Sequence, residues 1–454
     1  MHKVHAGYTV IARLKEGCAA TVSALLRDFR AHPERLPFAD MATTHFATGA
    51  VLPAQRYGDE ELPATLMVAT SFAGPSEAHE NELIRFGGSG LRALFQYCEG
   101  FPAHGSDAEL RRFLREHRQA DTFYSGMHHL SRADVVRHAQ LRTEIEDFID
   151  HRQLHGGFPP DALEIRHAIQ EFVRGRPALA WAEQDPWKPA EGSWLALHWR
   201  TLLLAAVVVP LLLALVGGAI AIALGWVHGT AVKVGVASGW LAVVLAGFAL
   251  FALVAAVRDA ERQQRFVAGR PPDAHVRSLA ATQCHPVINE MTVVGPVKEG
   301  MVRPFVLRLA LWIVARYAEG IPGLTTGINI PTVATARWIA IDRGRRLVFI
   351  SNFTNAAEPY VRDFIDIRNG AKRINLTFGF GRGYPRTDWI IGGGALADPN
   401  GFINVVHTNQ LHTELWYCPY ANLSIDNIKR DRQIREGLFG ACTPAQAQDW
   451  LQLL

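Results

Sequence analysis

Apolar and polar positions alternate in some stretches of this chain and recur every three to four residues in others. In one stretch the charged positions stop altogether. Tyr8–Arg13 alternates and is rich in β-formers until Lys15-Glu16-Gly17 breaks it, which predicts a strand. Val22, Leu25, Leu26 and Phe29 follow at helical spacing, predicting an amphipathic helix that ends near Pro33. Thr43–Leu52 and Thr65–Phe72 read as the second and third strands. Ser76 can cap a helix running through Leu83, Ile84 and Phe86. Gly87-Gly88-Ser89-Gly90 reads as a turn and Leu91–Cys98 as a fourth strand. The order is β-α-β-β-α-β, the ferredoxin-like split unit.

From Thr201 to Val232 there is no Asp, Glu, Lys or Arg, and after Lys233 the run Val234–Val257 is again uncharged. Each segment exceeds the roughly 20 apolar residues that cross a hydrocarbon core. The polar break Trp226-Val227-His228-Gly229-Thr230 makes them a predicted membrane hairpin. Gly235 and Gly239 form a GxxxG that would let the spans approach closely; glycine is also simply common in membrane helices. Ahead of the hairpin, Asp161–Arg174 reads as an amphipathic helix. Trp181, Pro186-Trp187-Lys188-Pro189, Trp194 and Trp199 then read as an interfacial elbow.

After the hairpin the same order returns. Met291–Val297 is a predicted strand and Phe305–Tyr317 a helix, with Pro304 in its first turn. Thr335–Ile341 and Leu347–Phe353 are strands around Asp342-Arg343-Gly344. Ala356–Ile367 is a helix and Ile374–Phe380 the last strand. The two copies keep register. Lys15-Glu16-Gly17 and Lys298-Glu299-Gly300 lie 283 apart (300 − 17), as do Phe101-Pro102 and Tyr384-Pro385 (385 − 102). Further on, Phe123-Tyr124 matches Trp416-Tyr417, and Arg137 and Arg142 match Arg430 and Arg435, at an offset of 293 (416 − 123).

A split unit covers one sheet face with helices and leaves the other bare. Two such sheets in one chain can cover each other; two separate domains with unlike partners are the alternative. The expected fold is therefore α+β: two ferredoxin-like repeats pairing as an intrachain dimeric α/β barrel, plus a two-helix transmembrane hairpin. It divides into repeat 1 (1–150), a linker with helix and elbow (151–200), the hairpin (201–257), a second linker (258–290) and repeat 2 (291–454).

Composition narrows the class. The 454 residues carry a net charge of +3 with acids and bases interspersed, so no nucleic-acid partner is expected. The five cysteines are scattered without a CxxC, which fits a reducing compartment. Met1–His5 leads straight into a strand pattern, so no signal peptide is expected. Arg200 precedes the first span and Arg258, Arg262, Arg265 and Arg270 follow the second, while only Lys233 and His228 mark the loop. The positive-inside rule then puts both repeats on the cytoplasmic side of the membrane and the loop outside. The spans contain no acid, Lys or Arg, which argues for anchoring rather than an ion path.

Candidate chemistry is sparse. His45 shares a strand face, on alternation, with Ala47 and Gly49, small residues that would leave space beside the imidazole. A barrel-lining His of this kind suits a haem ligand or an acid/base, or equally a hydrogen-bonded core histidine. Arg337, in the equivalent strand of copy two, wants an anionic partner: a carboxylate, or a bound anion such as a haem propionate. Asp147, His151 and His155 would share a face if their helix reached Gly156, as a metal site or a solvated helix end. His2, His5, His128-His129, His407 and His412 are weaker candidates of the same kind. Gly379-Phe380-Gly381-Arg382-Gly383 and Gly392-Gly393-Gly394 lack the following helix of a phosphate loop and read as turns. Lys429, Arg430, Arg432 and Arg435 suggest contact with anionic lipid. The apolar helix Phe305–Tyr317 is either core or membrane-surface contact.

Several strings resemble a family of bacterial membrane-associated proteins. They are Ala336-Arg337-Trp338, Ser351-Asn352-Phe353, Tyr384-Pro385-Arg386-Thr387, Trp416-Tyr417 and Arg435-Glu436-Gly437-Leu438. That family resembles the dimeric α/β-barrel superfamily, which includes dye-decolorising-type haem peroxidases and chlorite dismutases. The pattern His-Phe-Ala-Arg expected in the second strand is divided here: copy one keeps His45-Phe46-Ala47 with Thr48, and copy two keeps Ala336-Arg337 with Ala334. Thr354-Asn355 stands where Asp-Gly is expected, and the peroxidases' Gly-x-x-Asp-Gly is absent. The resemblance implies haem or an apolar small molecule in the barrel and peroxidase-like oxidoreductase chemistry. His45 would be ligand or base, Arg337 the anion partner, and Asn352 and Tyr417 the lining. The other expectation is a non-catalytic assembly or lipid-binding module that works with the bilayer and a membrane-protein partner.

Overall fold

The structure is a computed structural model. It describes residues 5–102, 105–127, 130–184, 194–226, 229–264, 266–283, 287–300, 302–317, 332–366 and 370–454. The N-terminal part runs β1 (His5–Arg13), α1 (Ala19–Ala31), β2 (Thr44–Leu52), the small hairpin β3 (Gln55–Tyr57) and β4 (Glu60–Leu62), β5 (Thr65–Ala73) and α2 (Ser76–Phe95). Then come α3 (Asp107–Glu116), β6 (Thr122–Ser125), α4 (Arg132–Leu154) and α5 (Ala162–Arg174). Two long helices follow, α6 (Trp194–Ala223) and α7 (Thr230–Arg262), and then α8 (Asp273–Thr282). The C-terminal part runs β7 (Ile288–Pro296), α9 (Val302–Tyr317), β8 (Val333–Ile341), β9 (Arg346–Thr354), α10 (Ala357–Asp366) and α11 (Gly370–Phe378). It ends with β10 (Thr387–Asp388), β11 (Gly392–Gly393), α12 (Pro399–Asn409), β12 (Gln410–Leu411), β13 (Leu415–Tyr417), α13 (Ile425–Leu438) and α14 (Pro444–Leu451).

The fold is α+β with antiparallel sheets. One sheet has the order β1-β5-β2-β13 and the other β12-β7-β9-β8-β6. The outer strands are exchanged. β6, from before the long helices, adds to β8, with Phe123 opposite Arg337. β13, from the end of the chain, adds to β2, with Trp416 opposite Thr48. Each sheet carries a β-bulge at the matching position, His45 in β2 and Ala334 in β8.

The fourth strand expected in each copy is a helix instead. α2 runs straight through the glycine run to Phe95, and α11 covers Gly370–Phe378. The period explains the difference. Leu91, Leu94, Phe95 and Cys98 are all buried at spacings of three and four, so these apolar residues serve a helix face. Strand character survives as one bridge in each part, Leu14 to Cys98 and Val297 to Gly381. The glycines of α2 make no turn; they let the helix press on the loop before β2. A Cβ on Gly90 would lie 2.5 Å from the Arg35 carbonyl oxygen, and one on Gly87 would lie 2.9 Å from Met41.

Between the sheets, Ile11, Ala50, Leu52, Met67 and Ala69 of one pack against Val294, Ile339, Ile341, Val348 and Ile350 of the other. The outer faces carry helices: α1, α2 and α3 on the first sheet, α9 to α12 on the second. α4 pairs with α13, and with α5 and α14 they share a core of Leu141, Ile145, Ile169, Ile434 and Trp450. Arg435 of α13 therefore turns inward, 4% exposed, with its guanidinium on the Gln184 carbonyl and near the Trp181 ring. It is not a lipid-facing charge.

α7 is long and apolar enough to cross a membrane, by length and composition. α6 packs on it, with Trp240 Nε1 donating to the Leu215 carbonyl at 3.3 Å. A Cβ on Gly239 would meet Leu215 at 2.3 Å, whereas Gly235 has nothing within 4 Å. One glycine of the GxxxG therefore serves the contact. The elbow at 186–189, His2, His128-His129 and His228 lie outside the described residues.

Candidate functional site

The sheets meet in a polar network at one end of their shared interior. Arg337 reaches from β8 into the first sheet. Its guanidinium donates to Thr9 Oγ1 at 3.0 Å, to the Thr70 carbonyl at 2.9 Å and to Ser71 Oγ. Asp121 Oδ2 lies 3.9 Å away and the Phe123 ring 5.3 Å from the guanidinium carbon. Burial pulls the arginine's pKa down and Asp121 opposes the shift. Gly7 makes the room, because a Cβ there would sit 2.0 Å from Asp121 Oδ2. Arg337 thus hydrogen-bonds neutral oxygens of the first sheet and faces the Asp121 carboxylate at the longer distance. Ser71 Oγ extends the network by donating to Thr335 Oγ1 at 3.4 Å. Asn352 Nδ2 donates to the same oxygen at 3.0 Å, and Asn352 Oδ1 accepts from Trp416 Nε1 at 2.9 Å.

Arg337 and Asn352 therefore belong to one network, and Tyr417 does not. Tyr417 faces the helices, beside Phe38, and its hydroxyl accepts from Arg132 Nη1 at 3.1 Å. Its neighbour Trp416 points between the sheets in its place. Successive strand residues face opposite ways, so a one-residue error reverses the face.

His45 also differs from expectation. The bulge removes it from the alternation, so it does not share a face with Ala47 and Gly49. The space beside Gly49 is filled by Leu26 and Leu415, at 2.9 and 3.1 Å from a would-be Cβ. His45 is 0% exposed. Its Nδ1 lies 2.5 Å from the Tyr420 hydroxyl, and its ring 4.8 Å from that of His5. Burial first, then His5, holds its pKa well below the ordinary value, so the ring is neutral. Burial keeps the Tyr420 phenol protonated, which makes Tyr420 the donor to Nδ1. His45 Nε2 makes no well-formed hydrogen bond, although the Leu130 carbonyl is near enough to act on the ring. His5 is held by Ser125 Oγ at 2.8 Å and the Leu130 carbonyl at 2.5 Å. These residues do not fit a haem, whose iron needs an open face at the ligating nitrogen. Here His5, Phe46 and Tyr420 close in on the ring.

Among the described residues no group of three His, Cys, Asp or Glu is placed to hold a metal ion. His155 Nδ1 bonds the His151 carbonyl at 2.8 Å, so that end of α4 satisfies itself. The glycine strings have structural work. Gly379 presents its carbonyl to Lys298 Nζ at 2.6 Å, the wrong polarity for a phosphate. Gly392, Gly393 and Ile391 offer carbonyls to Asn375 Nδ2, and Gly394 at φ +55° leaves room for that side chain.

A second polar cluster, missed in the sequence, lies at the foot of α7. Glu261, 6% exposed, accepts from Thr387 Oγ1 at 2.9 Å and from the backbone N–H groups of Trp389 and Ile390 at 3.1 and 2.7 Å. Arg303 donates to the Ala260 carbonyl, and Gln264 Nε2 to that of Tyr384 at 2.5 Å. Lys298 sits beside them, its pKa lowered to about 7 by burial. Val257, Glu261, Lys298, Arg303, Val306 and Ile390 line a cavity of about 20 Å³, room for a single water. α7 is thereby fixed to the second sheet's helical layer through a buried carboxylate. The available signal was an acid standing among arginines just after the second span. Compared with family models, with curated proteins and with solved structures, the chain gives no match.

Proposed function

We propose that this chain is a membrane-anchored, non-catalytic α/β module. In this reading its two halves are ferredoxin-like repeats paired as an intrachain barrel. α6 and α7 form a membrane hairpin, and both repeats face the cytoplasm of a bacterial inner membrane. The module serves assembly or lipid binding beside a membrane-protein partner. One observation carries the reading: the space between the sheets is filled by aliphatic side chains of both, and its polar end is closed by Arg337 and its partners. A substrate site of ordinary size needs roughly 300 Å³ or more. The buried attachment of α7 through Glu261 supports the anchor.

A second reading draws on His45 Nε2, which makes no well-formed hydrogen bond. It makes the chain a binder of haem or another apolar small molecule, with peroxidase-like activity, once His5 has moved aside and the ring proton has shifted from Nε2 to Nδ1, with the Tyr420 hydroxyl turned to accept it. Purifying the full chain in mild detergent, adding hemin and recording the visible spectrum separates the two. The module reading expects no Soret band and no peroxide-dependent dye oxidation. A stoichiometric band that His45→Ala abolishes would overturn it.

A further inference from the structure

α9 answers one question the sequence left open, and it gives both answers. Val306, Leu307, Ala310 and Leu311 are buried in the core of the second sheet's helical layer. On the opposite face Phe305 is 56%, Leu309 37% and Trp312 53% exposed, with exposed Arg308 between them. The positions run i, i+3, i+4, i+7, one stripe of a helix. A stripe of Phe, Arg, Leu and Trp has the composition of a helix lying in a bilayer interface.

A second patch adjoins it. Trp389 and Ile391, 57% and 47% exposed, stand on the loop whose N–H groups bind Glu261. Trp389 and Ile390 have φ of +53° and +66°, a region that costs non-glycine residues energy and marks a β-branched one as a true outlier. The Glu261 carboxylate holds this strained turn, and the turn pushes Trp389 outward under the Arg258 guanidinium, 4.3 Å from the ring. Val306 of α9, Ile390 of the loop and Val257 of α7 line the same cavity, so stripe, loop and helix foot adjoin. Phe266, 60% exposed, follows directly after α7.

We propose that this face, formed by Phe305, Leu309 and Trp312 with Trp389 and Ile391, lies in the headgroup layer of the bilayer that α7 crosses. Arg308 meets the phosphates of anionic phospholipids there, while Arg258 stays paired with Asp388 and Glu261. The proposal rests on the reading of α7 as a membrane span. Its occupant is the bilayer because the face continues directly from the apolar helix and joins exposed Trp and Phe to arginine, the combination that interfaces select. The second repeat is then laid against the membrane at a fixed angle rather than hung from it.

The test uses the full chain in vesicles of phosphatidylethanolamine and phosphatidylglycerol. Photoreactive p-benzoylphenylalanine replaces Phe305, Trp312 or Trp389 in turn, with Val136 of α4 as the solvent position and Phe251 of α7 as the span position. Phospholipid adducts at the three interface positions and at Phe251, with none at Val136, are expected. Adducts at Phe251 without any at Phe305, Trp312 and Trp389 overturn the docking face and leave the anchor standing. No adduct at Phe251 removes the anchor and the docking face with it. Hydroxyl-radical footprinting of the unsubstituted protein in the same vesicles keeps the test independent of any folding defect. It should show loss of modification at Trp312 and Trp389, and modification in proportion to their exposure contradicts the proposal.

Discussion

Arg337 is the residue on which the two sheets most depend. Its donors satisfy a side chain and a backbone carbonyl of the opposite sheet, and its charge faces Asp121. Truncation removes the hydrogen bonds donated to Thr9, the Thr70 carbonyl and Ser71 inside a closed interior, so Arg337→Ala should lower stability by about 3 kcal/mol. Denaturant titration in detergent measures it, and a change below about 1 kcal/mol would mean the network is not structural. Glu290 sets a pH dependence. Burial raises its carboxyl pKa from 4.5 to about 7, against the hydroxyl bonds from Thr292 and Thr413. Between those pH values only the folded chain holds the proton, so this group makes stability fall as pH rises from about 4.5 to 7. His79 acts oppositely: burial lowers its pKa from 6.5 to about 3, and its contribution is lost as pH falls below 6.5. Comparing Glu290→Gln with the parent isolates the first effect. The variant should gain stability on the order of 3 kcal/mol at pH 8 and little at pH 4.5. Equal shifts at both pH values would show that Glu290 does not titrate in this window. At this scale the residue type was readable and the direction was not. Arg337 was visible as a charged residue inside an apolar strand, and Asn352 only through the family resemblance. Tyr417 stood in for Trp416 because facing alternates, and His45 was misdirected by a bulge that no local pattern announces.

Elements show a sharper conflict, in α2. Helix propensity alone says that Gly90→Ala adds stability by about 1 kcal/mol. The contact says otherwise, since the new methyl would lie 2.5 Å from the Arg35 carbonyl oxygen, a backbone atom with little freedom to retreat. The contact should win, with a net loss of about 1–3 kcal/mol. A rise in thermal midpoint would mean that α2 does not run through Gly90. Six long strands were legible because each alternates or is rich in β-formers between clear breaks. The expected fourth strands were not, because Leu91, Leu94, Phe95 and Cys98 satisfy a helical period as well as a short apolar run. Only the close approach of α2 to the 35–41 loop, a tertiary fact, decides between them.

For the whole molecule, the exchanged strands predict that the halves stay together without a continuous chain. β6 completes the second sheet, β13 the first, and α4 packs on α13 through Arg142 and Asp431 at 2.7 Å. A protease site placed between α6 and α7 should be cut without separating the fragments. They should co-migrate on size exclusion in mild detergent and part only in denaturant. Separation in mild detergent would show that exchange contributes little. That the chain is α+β with antiparallel sheets was readable from its strand and helix periods. The exchange was not, because a three- or four-residue strand carries no mark of which sheet it will join.

That exchange also sets a clock on biosynthesis. The free edge of β2 ends at Leu52 and its partner begins at Leu415, 363 residues later (415 − 52). At about 5–20 residues per second, the ribosome needs roughly 20–70 s to deliver it. Throughout that interval the first sheet stands with an open, apolar edge, the hazard that strands normally avoid by quick pairing. The two long helices are made in the meantime, so the first sheet closes only after α6 and α7 have been synthesised.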